Sequence, residues 1–312
     1  MNPVNNPMPE DIRQKPYLDH KDIVGLNFIR APGIYHFRRH YRAGLRSHIM
    51  EILSPEDLEK ERKGVLIKGV MHFPRAKPIK ILRIFRTRFE SLREAEEEPR
   101  RVKIIGSFLA PDHMAWSDEF IVGYKVSGIR DMLLCGLQEY VEGEILDPWS
   151  YLDREHFTSL YRRLGFGKRA GYKEPLKRWL ERVNQNGIAF ISAVKRLIQE
   201  AEYVPDLAGV GNLVLTPRGH LRLVDINNVS RALPTREIPI DDRGYPVCDK
   251  SIEALFQIER KILGRTGLEK DPLYRAFLDP GRMRDVKVIE RRFHLDIPKG
   301  TSSSGYPYPA PE

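Results

Sequence analysis

The segment GNLVLTPRGHLRLVDINN, residues 211–228, decides how the rest of the chain is interpreted. Two short apolar runs flank the Pro-Arg-Gly sequence at 217–219, and this pattern predicts a β-hairpin with a tight turn. Asn212 opens the first run and Asp225 closes the second. These two polar side chains either cap the ends of the strands or provide oxygen ligands for a shared metal ion, and the residue types leave both hypotheses open.

The composition is that of a globular protein, with 312 residues, 41% hydrophobic and 30% charged. It predicts one large domain or two smaller ones, each with a core. There is no run of about 18 apolar residues, and the polar first residues lead us to expect no secretion signal. Cys135 and Cys248 show no disulfide or metal spacing, so we expect a reducing, cytoplasmic location. The net charge of +9 favours a nucleotide, a nucleic acid or an acidic membrane surface as partner, although a protein that is simply basic shows the same excess.

The two sides of a Glu-Gly sequence at 142–143 differ in their periodicity. Before it, alternating apolar residues predict strands within 64–73, 78–89, 119–128 and 131–143, and 91–109 reads as a helix with a start or break near Pro99. After it, apolar residues at steps of three and four predict mainly helices, including 187–203 and 251–264. The sequence therefore predicts an α+β protein with an antiparallel-sheet half and a mainly helical half that contains the hairpin.

In this order, the elements between residues 64 and 264 resemble the catalytic core of the protein-kinase-like fold. In that family the Asn matching Asn212 closes the catalytic loop, and the Asp matching Asp225 opens the motif after the hairpin. Both coordinate the Mg²⁺ ions that bridge the phosphates of ATP. The resemblance thus implies a bilobal protein with a sheet-built N-lobe and a helical C-lobe, ATP and Mg²⁺ as cofactors, and Asn212 and Asp225 as metal ligands. The motif here reads Asp-Ile-Asn and lacks the glycine usual in the family.

Further matches extend the implied nucleotide site. The segment 133–146 resembles the hinge between lobes, which implies that Gln138, Glu139, Tyr140 and Val141 surround the adenine. The segment ILRIFR resembles the strand that carries the phosphate-binding lysine of the family, and its matching position is Arg83. Arg83 would contact the phosphates, with a solvated strand charge as the alternative, and Glu98 or Glu97 would be the helix carboxylate that pairs with it.

The catalytic Asp of the family stands five residues before the Asn, where this chain has Leu207. Asp206 lies one residue earlier, and a bulge allowed by Gly209 and Gly211 would present it as the general base. The alternative is that Asp206 is a turn residue. No Gly-rich phosphate loop stands out, and residues 64–69 are the nearest match.

The predicted organisation has four parts. They are a flexible arm over 1–22, an N-lobe with a basic extension over 23–138, a hinge and C-lobe over 139–298 with an insert at 144–186, and a disordered tail over 299–312.

The resemblance favours an atypical phosphotransferase, nearer to the lipopolysaccharide, sugar, aminoglycoside and choline kinases of this fold than to regulatory protein kinases. It would move the γ-phosphoryl group of ATP to a hydroxyl, and basic residues of the insert could recruit an anionic small-molecule or lipid-linked acceptor: Arg162, Arg163, Lys168, Arg169 and Lys173. One alternative is a pseudokinase, a regulatory module with weak or no nucleotide binding. Another is a nucleic-acid-binding protein that uses residues 26–48, where arginines alternate with aromatic residues.

Overall fold

The computed structural model describes residues 11–31, 33–41, 46–126, 128–165, 174–232, 235 and 237–296. The chain divides into two compact units. Unit 1 comprises residues 1–100 and 116–140, and unit 2 comprises residues 101–115 and 141–312. Helices and antiparallel sheets together make this an α+β protein, as predicted. Among the described residues, no helix has both the length and the apolar character required to cross a bilayer.

Unit 1 is built on a five-stranded antiparallel sheet. Its strands are β1 His36–Arg39, β2 Ser47–Leu53, β5 Lys80–Phe85, β6 Ser117–Val126 and β7 Ile129–Glu139, in the order β1-β2-β5-β7-β6. A separate two-stranded hairpin consists of β3 Val65–Ile67 and β4 Val70–His72. The helices that begin in this unit are α1 His20–Val24, α2 Pro55–Lys63 and α3 Leu92–Leu109. Helix α3 is continuous through Pro99, so the predicted start or break there is wrong.

The N-terminal segment packs on one face of this sheet. Ile12, Leu18 and Ile23 are buried in one cluster with Leu82 and Ile84 of β5. The prediction of a flexible arm over 1–22 is therefore wrong for residues 11–22, because Ile12 and Leu18 are buried there and the buried Arg13 pairs with Asp131 of β7. Residues 1–10 lie outside the described residues, as does the predicted disordered tail.

The segment nearest to a Gly-rich loop, residues 64–69, does not belong to the main sheet. It forms the first half of the β3–β4 hairpin, whereas the strands that flank β5 are β2 and β7. Alternating apolar residues correctly predict strands here, but the pattern does not show which sheet a strand joins.

Among its described residues, unit 2 contains five short strands, the second half of α3, five further α-helices and a 3-10 helix at Leu268–Lys270. The strands are β8 Glu144–Ile145, β9 Tyr203–Pro205, β10 Leu213–Leu215, β11 Leu221–Leu223 and β12 Val229–Arg231. The helices are α4 Arg154–Arg163, α5 Leu176–Ala201, α6 Val247–Leu263, α7 Pro272–Phe277 and α8 Pro280–Asp296. The predicted hairpin is confirmed, since β10 and β11 pair with Leu213 opposite Leu223. Both strands and the apolar face of α5 contribute to one hydrophobic core.

The buried imidazole of His48 makes the stability of unit 1 depend on pH. Its Nε2 donates to the Ile12 carbonyl oxygen at 2.9 Å, and its Nδ1 lies 3.4 Å from the Arg86 guanidinium. Burial and the Arg86 charge lower the pKa of His48 to about 4. In the unfolded chain a histidine titrates near ~6.5, so between these values the unfolded state binds more protons. The contribution of His48 is therefore fully present above pH ~6.5 and is lost as the pH falls towards the folded pKa.

We expect His48→Gln to reduce the loss of stability at acidic pH, because glutamine can still donate to Ile12 but does not titrate. Urea unfolding should show wild-type protein losing roughly 2–3 kcal/mol more than the variant between neutral and mildly acidic pH. The exposed His72, replaced by glutamine, provides the control and should behave as wild type. Equal losses in wild type and His48→Gln would contradict the prediction.

Candidate functional site

The loop 206–212 between β9 and β10 is held by hydrogen bonds from three elements of unit 2. The amide of Asp206 donates to the Asn228 carbonyl at 3.0 Å, which extends the pairing of β9 with β12. The amide of Leu207 donates to the Ser251 hydroxyl of α6 at 3.1 Å. From the segment after β8, the Trp149 indole donates to the Ala208 carbonyl at 2.9 Å. The path of this loop is therefore fixed by its surroundings.

The carboxylate of Asp206 is only 2% exposed and binds its own loop. One oxygen accepts from the amides of Ala208 and Gly209, at 3.0 and 3.1 Å, and the other accepts from the Asn228 side chain at 2.9 Å. A carboxylate has about four lone-pair positions, and these three bonds use most of them. The contacts support the predicted alternative, a turn residue that positions the loop, rather than a general base. Leu207 is fully buried in the core.

Asn212 closes the loop onto Asp206. Its side-chain nitrogen donates to the Asp206 carbonyl oxygen at 3.0 Å, and its amide donates to the Gly209 carbonyl at 3.1 Å. Because a Cβ atom on Gly209 would lie 2.4 Å from this nitrogen, the side chain of Asn212 needs a glycine beneath it. Within the described residues, no hydrogen bond ends on the Asn212 amide oxygen, so that oxygen can serve as a ligand.

Asp225 is the second residue after β11 and lies at the same end of the hairpin as Asn212. The amide of Val224 donates to the Asn212 carbonyl at 2.8 Å, so the residue before Asp225 is paired with Asn212. Asp225 is half-buried, whereas the next residue of the motif, Ile226, is fully buried in the core. The structure thus brings the backbones of the two predicted metal ligands together.

The remaining predicted residues are divided between the units. Arg83, Glu98, Gln138, Glu139 and Tyr140 belong to unit 1, and Val141 belongs to unit 2 with Asp206, Asn212 and Asp225. Glu98 is half-buried on α3.

Arg83 is a buried cation on β5. It is 4% exposed, its Nε lies 3.4 Å from the Ser47 hydroxyl, and its guanidinium lies 5.3 Å from the centre of the Phe85 ring. The alternative of a solvated strand charge is therefore wrong. Gln138 is also 4% exposed, on the neighbouring β7 opposite Ile81.

Three residues that fix the loop were not predicted as part of the site: Trp149, Asn228 and Ser251. Asn228 could have been found from the sequence, because a polar residue just after a hairpin can bond back to the preceding loop. Ser251 reads as a helix cap, but α6 begins earlier, at Val247, and the hydroxyl binds Leu207 instead.

In the described parts of the chain, no group of three or more His, Cys, Asp and Glu side chains could hold a metal ion. The predicted ligands Asn212 and Asp225 would supply two oxygens to a cation at the hairpin, and other oxygens would complete the shell. This fits Mg²⁺, which takes oxygen ligands and commonly uses one or two carboxylates together with water and substrate phosphates.

Two basic regions of the sequence are partly neutralised. In the segment 26–48, Arg38 pairs with Glu51 and Glu61 at 2.8 and 2.9 Å. In the insert, Arg163 pairs with Glu144 at 2.8 Å. Residues 32, 42–45 and 166–173 lie outside the described residues, and the last range includes Lys168, Arg169 and Lys173.

No protein-family model matches this chain, and no curated protein sequence matches it significantly. Inferences about its function therefore depend on the geometry of the loop and the hairpin.

We expect Gly209→Ala to disrupt the site, because the new methyl group would overlap the Asn212 side chain. Urea unfolding should show a loss of roughly 1–3 kcal/mol, and the amides of residues 206–212 should exchange faster. Gly123→Ala is the matched control, since a Cβ atom there meets nothing within 4 Å, and its change should stay below about 0.5 kcal/mol. A Gly209→Ala protein as stable as the control would contradict this geometry.

Asn228→Asp should make unit 2 sensitive to alkaline conditions. The change places a second carboxylate at hydrogen-bond distance from Asp206, and the repulsion raises the pKa of the pair above that of an unfolded Asp. Stability relative to wild type should therefore fall as the pH rises through that pKa, by roughly 2–4 kcal/mol at neutral pH, and recover near pH ~5. Asn228→Ala removes the bond without adding a charge, so identical urea midpoints for both variants at both pH values would disprove the predicted repulsion.

Proposed function

We propose that the chain is an atypical kinase-like phosphotransferase, which moves the γ-phosphoryl group of ATP to a hydroxyl of a small-molecule, sugar or lipid-linked acceptor. The observation that carries the proposal is the position of Asn212, which the loop holds with its amide oxygen available beside the residue that precedes Asp225. These oxygens are the type of ligand that Mg²⁺ takes between a protein and the phosphates of a nucleotide.

The proposal assigns each unit a counterpart in the kinase-like, bilobal fold. Unit 1, with its five-stranded sheet and the first half of α3, corresponds to the N-lobe, and unit 2 corresponds to the C-lobe. Arg83 would supply positive charge for the phosphates, with Glu98 as its proposed partner. The segment 138–141 would provide the adenine contacts.

Asp206 has a positioning role in this proposal. Phosphoryl transfer depends mainly on the placement of the reactants and on stabilisation of charge, so the reaction does not require a strong base. By fixing the loop, Asp206 determines where Asn212 lies.

A pseudokinase is the second candidate, and the contacts of Asp206 favour it. A carboxylate with three local hydrogen bonds has little capacity left to orient an acceptor hydroxyl. In that case nucleotide binding would serve recognition or regulation. The third hypothesis, nucleic-acid binding by residues 26–48, has less support because Arg38 is engaged in two ion pairs.

We expect ATP with Mg²⁺ to stabilise the wild-type protein against heat, and ATP with a chelator to have no such effect. At a tenfold excess over Kd the gain is about 1.4 kcal/mol, or roughly 2–4 °C in Tm. Asp225→Asn should abolish this shift, because the amide removes the charge that attracts the cation. Asp285→Asn changes an exposed carboxylate of α8 and should retain the full shift.

The same proteins distinguish the two kinase-like candidates. Slow release of ADP that disappears in Asp225→Asn would support the phosphotransferase, whereas a thermal shift without turnover would support the pseudokinase. If wild-type protein shows no Mg²⁺-dependent shift, or if Asp225→Asn keeps it, the phosphotransferase is wrong, and of the two candidates only a pseudokinase that binds no nucleotide at this site would remain.

A further inference from the structure

The β3–β4 hairpin of unit 1 exposes an unusual amount of apolar surface. Five large apolar side chains on this short ribbon are between 50% and 65% exposed: Leu66, Ile67, Val70, Met71 and Phe73. Isolated exposed apolar residues are normal on protein surfaces, but a contiguous group marks a surface that contacts a partner or a membrane.

Both faces of the ribbon are apolar. Leu66 lies opposite Met71 on one face, and Ile67 lies opposite Val70 on the other. Among the described strands, β3 and β4 pair only with each other. A protein that docks on a ribbon covers one face or one edge, whereas an apolar phase covers both faces together. The distribution of side chains therefore favours insertion over docking.

The charges around the ribbon indicate which kind of surface it meets. Residues 62–80 contain no acidic residue. They contain six basic ones: Arg62, Lys63, Lys68, Arg75, Lys77 and Lys80. Lys63 also pairs with Glu59, but both side chains are exposed, and such exposed pairs are weak. Arg75 pairs with the buried Glu51, and its own side chain remains 64% exposed. An apolar tip within a positive collar is complementary to a bilayer with anionic headgroups.

The ribbon is fixed at its base and its tip. Helix α2 ends at Gly64, whose amide donates to the Lys60 carbonyl at 2.9 Å. Gly64 has a φ of 77°, and a Cβ atom on it would lie 2.7 Å from the Met71 sulfur, so this side chain packs directly on the glycine. At the tip, Lys68 and Gly69 have φ values of 51° and 78°, which form a tight turn. The apolar side chains are thus presented by ordered backbone.

We propose that residues 64–73 insert into the headgroup region of anionic bilayers and attach the protein peripherally to such membranes. Lys68 and the neighbouring cations contact the lipid phosphates or carboxylates, while the apolar side chains of both faces reach the acyl chains. This role is independent of the function proposed for the hairpin site of unit 2.

Flotation of the full chain with vesicles tests the proposal. Wild-type protein should bind vesicles of phosphatidylcholine mixed with phosphatidylserine much more strongly than vesicles of phosphatidylcholine alone. Replacing one residue from each face, Leu66→Ser with Ile67→Ser, should weaken binding by at least roughly tenfold. Lys68→Asn keeps a residue that tolerates positive φ but removes the charge, and should cost about fivefold.

Ile129→Ser is the matched control, because Ile129 is a 69% exposed side chain of β7, outside the ribbon in the same unit. It should bind as wild type. All the altered positions are exposed, so unchanged thermal midpoints would show that the variants are folded. Wild-type protein that does not bind anionic vesicles, or variants that bind as well as wild type, would overturn the proposal.

A fluorescent label measures insertion directly. Val70→Cys provides one accessible thiol, since Cys135 and Cys248 are buried and burial raises the pKa of both to about 12. The emission of bimane attached there should shift to the blue with anionic vesicles. A label that stays in water while the protein binds would disprove insertion.

The oligomeric state tests the other possible occupant of the ribbon. If wild-type protein self-associates, binds no lipid and becomes monomeric in Leu66→Ser, the ribbon contacts a second copy of the chain and the proposal is wrong.

Discussion

The bonds between the Asp206 carboxylate and its own loop are the constraint on which the candidate site depends. They hold the amides of Ala208 and Gly209 and the side chain of Asn228 around one buried charge. With the loop closed in this way, the Asp206 carbonyl is in place to accept from Asn212. Burying a carboxylate costs free energy unless several donors surround it. The carboxylate therefore needs the donors of the closed loop, and the loop needs the carboxylate as their acceptor.

A buried polar network of α6, α8 and Tyr245 contacts this loop through Trp149. Lys250 of α6 pairs with Glu253 and with Glu290 of α8, and its ammonium lies 4.4 Å from the centre of the Trp149 ring. The same indole donates to the loop at Ala208. Tyr245 also donates to Glu290, and burial raises the pKa of its hydroxyl, which therefore remains protonated as a donor. Trp149 therefore links the buried charges of α6 and α8 to the loop, because it contacts Lys250 and donates to Ala208.

Secondary-structure elements with a clear local hydrophobic pattern could be predicted from the sequence. The α+β class, the β6–β7 pair, the long helix and the hairpin at 213–223 follow from apolar spacing and turn residues. It did not predict that 64–73 leave the main sheet or that 11–22 pack on it, because register and long-range packing leave weak local signals. For the site, the hairpin pattern placed Asn212 and Asp225 at one end of the hairpin, where the amide of Val224 donates to the Asn212 carbonyl, while their role as metal ligands stays a prediction. Residue types and spacing did not show that Asp206 binds its own loop, since this depends on Asn228, from the segment between the hairpin and β12.

Paramagnetic relaxation by Mn²⁺ in the presence of ADP tests whether Asn212 and Asp225 bind a metal ion together. Mn²⁺ replaces Mg²⁺ on the same oxygen ligands and broadens amide resonances near it. We expect nucleotide-dependent broadening centred on residues 209–213 and 224–226, and its loss in Asp225→Asn. Broadening centred elsewhere, or none at these residues with the nucleotide bound, would contradict the assignment of Asn212 and Asp225 as metal ligands.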